Sequence, residues 1–254
     1  MTATISAIYR YPIKGFSPEE LAETALAAGG TIPFDRAYAV ENGPSGFDPQ
    51  LPSHLPKAHF LMLMRNERLA EFSTRFDPQT RRLAIWPKAG GEGIEADLGT
   101  CEGKAALQSW LAATFRLELR GQPKVLEAPG HSFSDISAKA LHLINLASLR
   151  DLEEKLGRRI DPLRFRLNLV IDGAPAWSEL DWIGRDIRLS KIALRAFHRT
   201  QRCAATNVDP ATGARDMAIP RALLSLYGHQ DFGIYVKAQM AGRMRSGDAI
   251  TLPG

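Results

Sequence analysis

Strand-like runs outnumber helical ones in this chain, and that ratio constrains its fold more than any other feature. A doubly wound parallel sheet needs a helix between successive strands, because a parallel pair cannot be joined by a hairpin. Strands are predicted at residues 5–13, 36–41, 82–86, 164–171, 186–197, 232–239 and 249–252. These runs are short and rich in β-branched and aromatic residues. Helical spacing is confined to residues 104–116, 147–156 and 220–227. In the first, Leu107, Trp110, Leu111, Thr114 and Phe115 recur on one face, and Gly157 and Gly228 are placed to end the other two. Ser17-Pro18-Glu19-Glu20 has the form of a capping box and predicts a short helical turn. The expected fold is mainly β with helical additions, an α+β chain built on barrel-like sheets.

A chain of 254 residues can form one large domain or two modest ones. Composition shifts to Gly, Glu and Ala over residues 88–103, which marks the expected boundary between lobes at 1–95 and 104–254. Residues 42–56, rich in Gly, Pro and Ser, read as a long loop of the kind that covers a site. No apolar run approaches the roughly 18 residues of a membrane span, so no membrane partner is expected. The start, MTATISAIYRYPIKG, lacks the features of a signal peptide, and Cys101 and Cys203 form no disulfide framework. Both point to a cytoplasmic protein with reduced thiols. The net charge of +4 is spread along the chain without a basic block, which hints weakly at an anionic partner and lacks a nucleic-acid signature.

Nucleotide, zinc-protease and hydrolase motifs are missing, and the 6 histidines show no metal-ligand spacing. In RFRLNLVIDG, strand alternation puts Arg164, Arg166 and Asn168 on one face. That face could grip an anion, although the pattern alone favours the solvated side of a half-buried strand. Lys14-Gly15 and Asp35-Arg36 each set a cation at a strand end, where phosphate groups are held and where ordinary surface charges also sit. Cys203 follows Arg202, lies among Thr200, Gln201, Thr206 and Asn207, and precedes the turn Asp209-Pro210-Ala211-Thr212-Gly213. A thiolate there could attack an electrophile, with His198 as a base, or bind a soft metal; a free cysteine can also be a small buried hydrophobe. Cys101 has no comparable surroundings.

The segments YPIKG, FDR, SFSD, LINLASL, RFRLN, RCAATNVDPATG, FGIY and GDAITL stand in the order found in MOSC-domain proteins, which the chain resembles along nearly its whole length. The resemblance implies an N-terminal β-barrel domain followed by a MOSC β-barrel domain, and a molybdenum–molybdopterin cofactor. It makes Cys203 the metal ligand and catalytic centre, with Gln201 and Arg202 beside the cofactor. It implies that Lys14, Gly15 and Arg36 hold the molybdopterin phosphate, that Arg166 and Asn168 contact the cofactor, and that Tyr235 lines the pocket. Gly15 stands where the family has serine, and Leu167 where it has proline. The implied activity is reduction of N-hydroxylated substrates with electrons from a separate flavin or iron–sulfur protein. A non-catalytic carrier or store of molybdopterin or sulfur would use the same pocket.

Overall fold

The computed structural model describes residues 2–189 and 192–253. In the first half lie β1 (Thr2–Arg10), β2 (Glu19–Leu21), β3 (Glu23–Leu26), β4 (Ala39–Glu41), β5 (Phe72–Phe76), β6 (Arg82–Pro87), β7 (Ile94–Asp97), α1 (Cys101–Thr114) and β8 (Lys124–Leu126). The second half holds β9 (Leu141–Asn145), α2 (Leu146–Leu156), β10 (Leu169–Asp172), β11 (Asp186–Leu189) and β12 (Ile192–Gln201). After these come α3 (Ile219–Tyr227), β13 (Asp231–Ala238), β14 (Gly242–Arg245) and β15 (Ala249–Thr251).

A closed barrel of 7 strands runs in the order β10, β9, β13, β12, β11, β15, β1, and β1 pairs back to β10. Closure leaves these strands no open edge to template association. The first strand of the chain thus completes a barrel otherwise built from its second half. Among the described barrel strands only β9 and β10 pair in parallel, and α2 makes the crossover that such a pair requires. Ile5, Leu143, Ile171, Leu194, Ile234 and Val236 fill the interior. A second core forms where α1 lays Leu107 and Leu111 against the three-stranded sheet β5-β6-β7, with Phe72, Leu83 and Phe115 packed between them. Thr100 caps α1 by accepting from the Gly103 amide at 3.0 Å. The Gly-rich stretch 88–103 contains β7, which pairs with β6, and then enters α1.

Local sequence signals lost to long-range partners at several places. Ser17 to Glu20 do not form a helical turn: Ser17 Oγ accepts from the Thr74 amide at 2.7 Å, and Glu19 sits in β2, its carboxylate bound by Arg10. The expected strand 36–41 begins only at Ala39, because Arg36 has a left-handed backbone with φ 51°. The strand expected over 164–171 is the largest departure. Asp161 accepts from the Leu163 amide and Pro162 sits at the first helical position, so Pro162–Phe165 is a 3₁₀ turn. Arg166 follows with φ 51°, and the strand starts at Leu169. The run 186–197 holds two antiparallel strands, β11 and β12, rather than one, and its residues 190 and 191 lie outside the described residues.

Candidate functional site

A cavity of about 410 Å³ opens between the ends of the barrel strands and the loops of the first half. Lys14, Gly15, Arg36, Arg166, Asn168, Gln201, Arg202, Cys203 and Tyr235, scattered over more than 200 positions of sequence, all line it. Arg164 lines it too, but its guanidinium is committed elsewhere: Nη2 lies 3.0 Å from Asp209 and 2.8 Å from Asp216. Arg164 therefore ties the 3₁₀ turn to the loop after Cys203, and it does not share a binding face with Arg166 by strand alternation.

Arg166 enters the cavity from a left-handed backbone position, its side chain set against the segment that follows β1. Its Nη1 donates to the Phe16 carbonyl at 2.9 Å, and its guanidinium lies 4.4 Å from the centre of the Tyr11 ring. Arg36 lies 4.6 Å from the same ring, is paired with Asp35, and donates to the Arg166 carbonyl at 2.8 Å. Asn168 holds these elements in place, donating to the Tyr9 carbonyl at 3.1 Å and accepting from the His142 amide at 3.1 Å. Burial pushes the Arg166 pKa down to about 10, with Arg36 adding to the effect. A cation so disfavoured gains from an anion brought beside it.

Gly15 needs its lack of a side chain. Its φ is +91°, and a Cβ there would meet Leu69 Cδ1 at 2.9 Å and the Leu61 carbonyl at 3.1 Å. A serine side chain in this chain would be strained at that φ and would crowd Leu69 and the Leu61 carbonyl, in keeping with glycine here in place of the resembled pattern's serine.

Cys203 follows β12 and leads into a 3₁₀ turn over Ala204–Asn207. Its carbonyl accepts from the Thr206 amide and hydroxyl at 3.1 and 2.9 Å, which fixes the turn. Arg202 Nη2 donates to the Phe165 carbonyl at 2.5 Å, and Nη1 lies 3.2 Å from His142 Nε2. Burial, reinforced by Arg202, keeps the His142 pKa well below its ordinary value, so this ring adds no positive charge. The exposed His198, also on the cavity wall, turns Nδ1 to the Arg199 carbonyl. Cys101 is exposed at the start of α1, away from the cavity.

Two residues that sequence reasoning did not assign complete the cavity. Lys57 Nζ lies 3.3 Å from Cys203 Sγ and 3.5 Å from Asp135. Asp135 also binds Lys14, whose ammonium donates to the Phe133 carbonyl at 2.8 Å. Desolvation works to raise the Asp135 pKa, but Lys14 and Lys57 outweigh it and hold the carboxyl well below its usual range. Asp135 closes the SFSD segment, which was a signal for it. Lys57 follows the loop 42–56 in a 3₁₀ turn and carries no pattern of its own.

Comparison with known families decides the classification. The family model of the MOSC N-terminal beta barrel domain matches residues 2–122, and that of the MOSC domain matches residues 128–251. The chain belongs to the MOSC family. Mouse mitochondrial amidoxime-reducing component 1 is 32% identical over 135 residues, covering 48% of this MOSC protein and 38% of the relative. Molybdenum cofactor sulfurase of Drosophila willistoni is 30% identical over 123 residues, 47% of this chain and 15% of that protein. The matches thus span well under half the length of these relatives. Among solved structures, the YuaD protein from Bacillus subtilis aligns over 98% of this chain and 94% of its own, at 15% identity and a TM-score of 0.46.

Nothing in the described residues groups three His, Cys, Asp or Glu side chains as a self-sufficient metal site. What the MOSC cavity offers is the Cys203 thiol beside a concentration of positive charge. Lys14, Arg36, Lys57, Arg166 and Arg202 line it against Asp135, and Arg166 Nη2 and Arg202 Nε are buried without hydrogen-bond partners. Such groups are costly unless an anion joins them. The donor set therefore fits a phosphate-bearing molybdopterin whose soft metal takes a cysteine sulfur.

Proposed function

We propose that this MOSC protein is a molybdenum-cofactor oxidoreductase that reduces N-hydroxylated compounds. The observation that carries the proposal is the placement of Cys203 in a cavity whose buried guanidiniums, Arg166 and Arg202, each leave a nitrogen unpartnered. In this reading Lys14, Arg36 and Arg166 hold the phosphate of the pterin, Gly15 lets backbone approach it, and Asn168 orients Arg36. Cys203 supplies the protein ligand to molybdenum, with Gln201, Arg202 and Tyr235 around it. Asp135 keeps Lys14 and Lys57 in position.

The cofactor, when bound, supplies two-electron chemistry at nitrogen: a hydroxylamine takes up two electrons and two protons, its N–O bond breaks, and an amine and water leave. The electrons come from a separate flavin or iron–sulfur protein, since the chain shows no motif for either centre. The names of the amidoxime-reducing relatives support the substrate class. No described helix is long and apolar enough to cross a membrane.

The test is reduction of hydroxylamine by cofactor-loaded protein with reduced methyl viologen as donor. Ammonia formed in proportion to protein, and lost in Cys203→Ser, is the expected result. Loaded protein that forms no ammonia would favour a carrier of the cofactor.

A further inference from the structure

We propose that Lys57 donates a hydrogen bond to the Cys203 sulfur that sets the reduction potential of the metal held there, an inference that rests on the cofactor reading above. The contact is 3.3 Å long, within hydrogen-bond reach of sulfur, and spans 146 positions of sequence. It is the contact made to this sulfur by the first half of the chain, whose loop 42–56 ends at Pro56 and delivers Lys57 through the 3₁₀ turn Lys57–His59.

Asp135 holds the ammonium from its other side at 3.5 Å, and Asp135 is itself anchored by Lys14. The donor is therefore fixed at both ends rather than swinging free in the cavity. Lys57 keeps 30% of its side chain exposed in a 3₁₀ turn that contains no buried residue, so its replacement is expected to leave the cores undisturbed.

A hydrogen bond to a metal-bound thiolate draws electron density from sulfur and weakens its donation to the metal. The reduced, more electron-rich metal is then favoured, and the potential rises. Outer contacts of this kind tune a site without being ligands. Lys57 is in this sense a positioning residue: it acts through Cys203.

The experiment uses protein purified from a host that makes the cofactor, as wild type, Lys57→Met and Lys57→Arg. Molybdenum content is measured first, and then the potential, by a redox titration followed through the Mo(V) electron paramagnetic resonance signal. Lys57→Met should retain molybdenum at the wild-type level and shift to a more negative potential, and Lys57→Arg should return toward wild type. A loaded Lys57→Met protein with an unchanged potential overturns the proposal. So does loss of the metal from Lys57→Met, because the contact would then retain the metal rather than tune it. Wild-type protein without molybdenum removes the cofactor reading itself, an outcome distinct from both.

Discussion

Arg166→Met is expected to weaken retention of the pterin by about 10- to 100-fold, the loss of roughly 1.5–3 kcal/mol that accompanies removal of a hydrogen bond to a charged group. The same change should leave the protein without cofactor within about 1 kcal/mol of wild-type stability, because two effects of ordinary size oppose one another. The carbonyls of Gly15 and Phe16 lose their donor. Against this, a cation whose burial lowers its pKa to about 10, next to the Arg36 guanidinium, is removed. Pterin remaining after gel filtration and thermal unfolding of the cofactor-free protein read the two halves separately. Unchanged retention would remove Arg166 from the phosphate grip, and a large drop in stability would make it a structural residue like Arg164.

The second large effect lies outside the cavity, at Glu179. This fully buried carboxyl accepts from Ser148 Oγ at 2.7 and 2.9 Å and from Asn145 Nδ2 at 3.2 Å. Burial raises its pKa from 4.5 to about 7, only partly offset by these hydrogen bonds. The folded chain therefore binds this proton more tightly than the unfolded chain. The resulting stability is fully present below pH 4.5, declines as pH rises, and is lost above pH 7. A shift of this size corresponds to about 3 kcal/mol. Glu179→Gln should abolish that slope and be the more stable protein at pH 8. Urea unfolding of both proteins at pH 5 and pH 8 checks this, and parallel pH dependence in the two would assign the slope to other groups.

Why should a barrel retain such a carboxyl? Ser148 Oγ also accepts from the Trp177 amide at 2.7 Å, and Asn145 caps α2 while donating to the Pro175 carbonyl at 2.8 Å. Glu179 joins the parallel strand β9, the crossover helix and the left-handed turn at Trp177 into one polar network. Removing its hydrogen-bond acceptors altogether would leave several buried donors unpaired.

Legibility in the sequence followed the range of the interactions involved. α1, α2 and α3 were readable because their caps and apolar faces lie within one segment, as with Gly157 and Gly228, both left-handed at the helix ends. β1, β6, β13 and β15 were readable from composition alone. β9 was not, since all five of its residues are buried and LHLIN has no alternation to reveal it. β2 was hidden under a helix-cap pattern, of which Ser17 is bonded to β5 while the neighbouring Glu19 is bound by Arg10 of β1.

The cavity shows the same division. Lys14, Arg36, Arg166 and Cys203 stand in family motifs, so their convergence was expected, but the means was not. Arg166 enters through a left-handed turn and Arg164 is diverted to Asp209 and Asp216, where strand alternation had placed both on one face. Lys57 had no local signal, for its partners are contributed by Asp135 and Cys203 from the other half of the chain. The fold makes that contact, and no window of sequence contains it.

The central claim is that Cys203 is a molybdenum ligand in a molybdopterin pocket. It is tested most directly by the molybdenum and oxidised-pterin content of protein purified from a cofactor-making host, beside Cys203→Ser. Near-stoichiometric molybdenum and pterin in the wild type, with molybdenum lost from the variant, is the result expected. Neither molybdenum nor pterin in the wild type would contradict the claim and return Cys203 to a half-buried thiol beside Lys57.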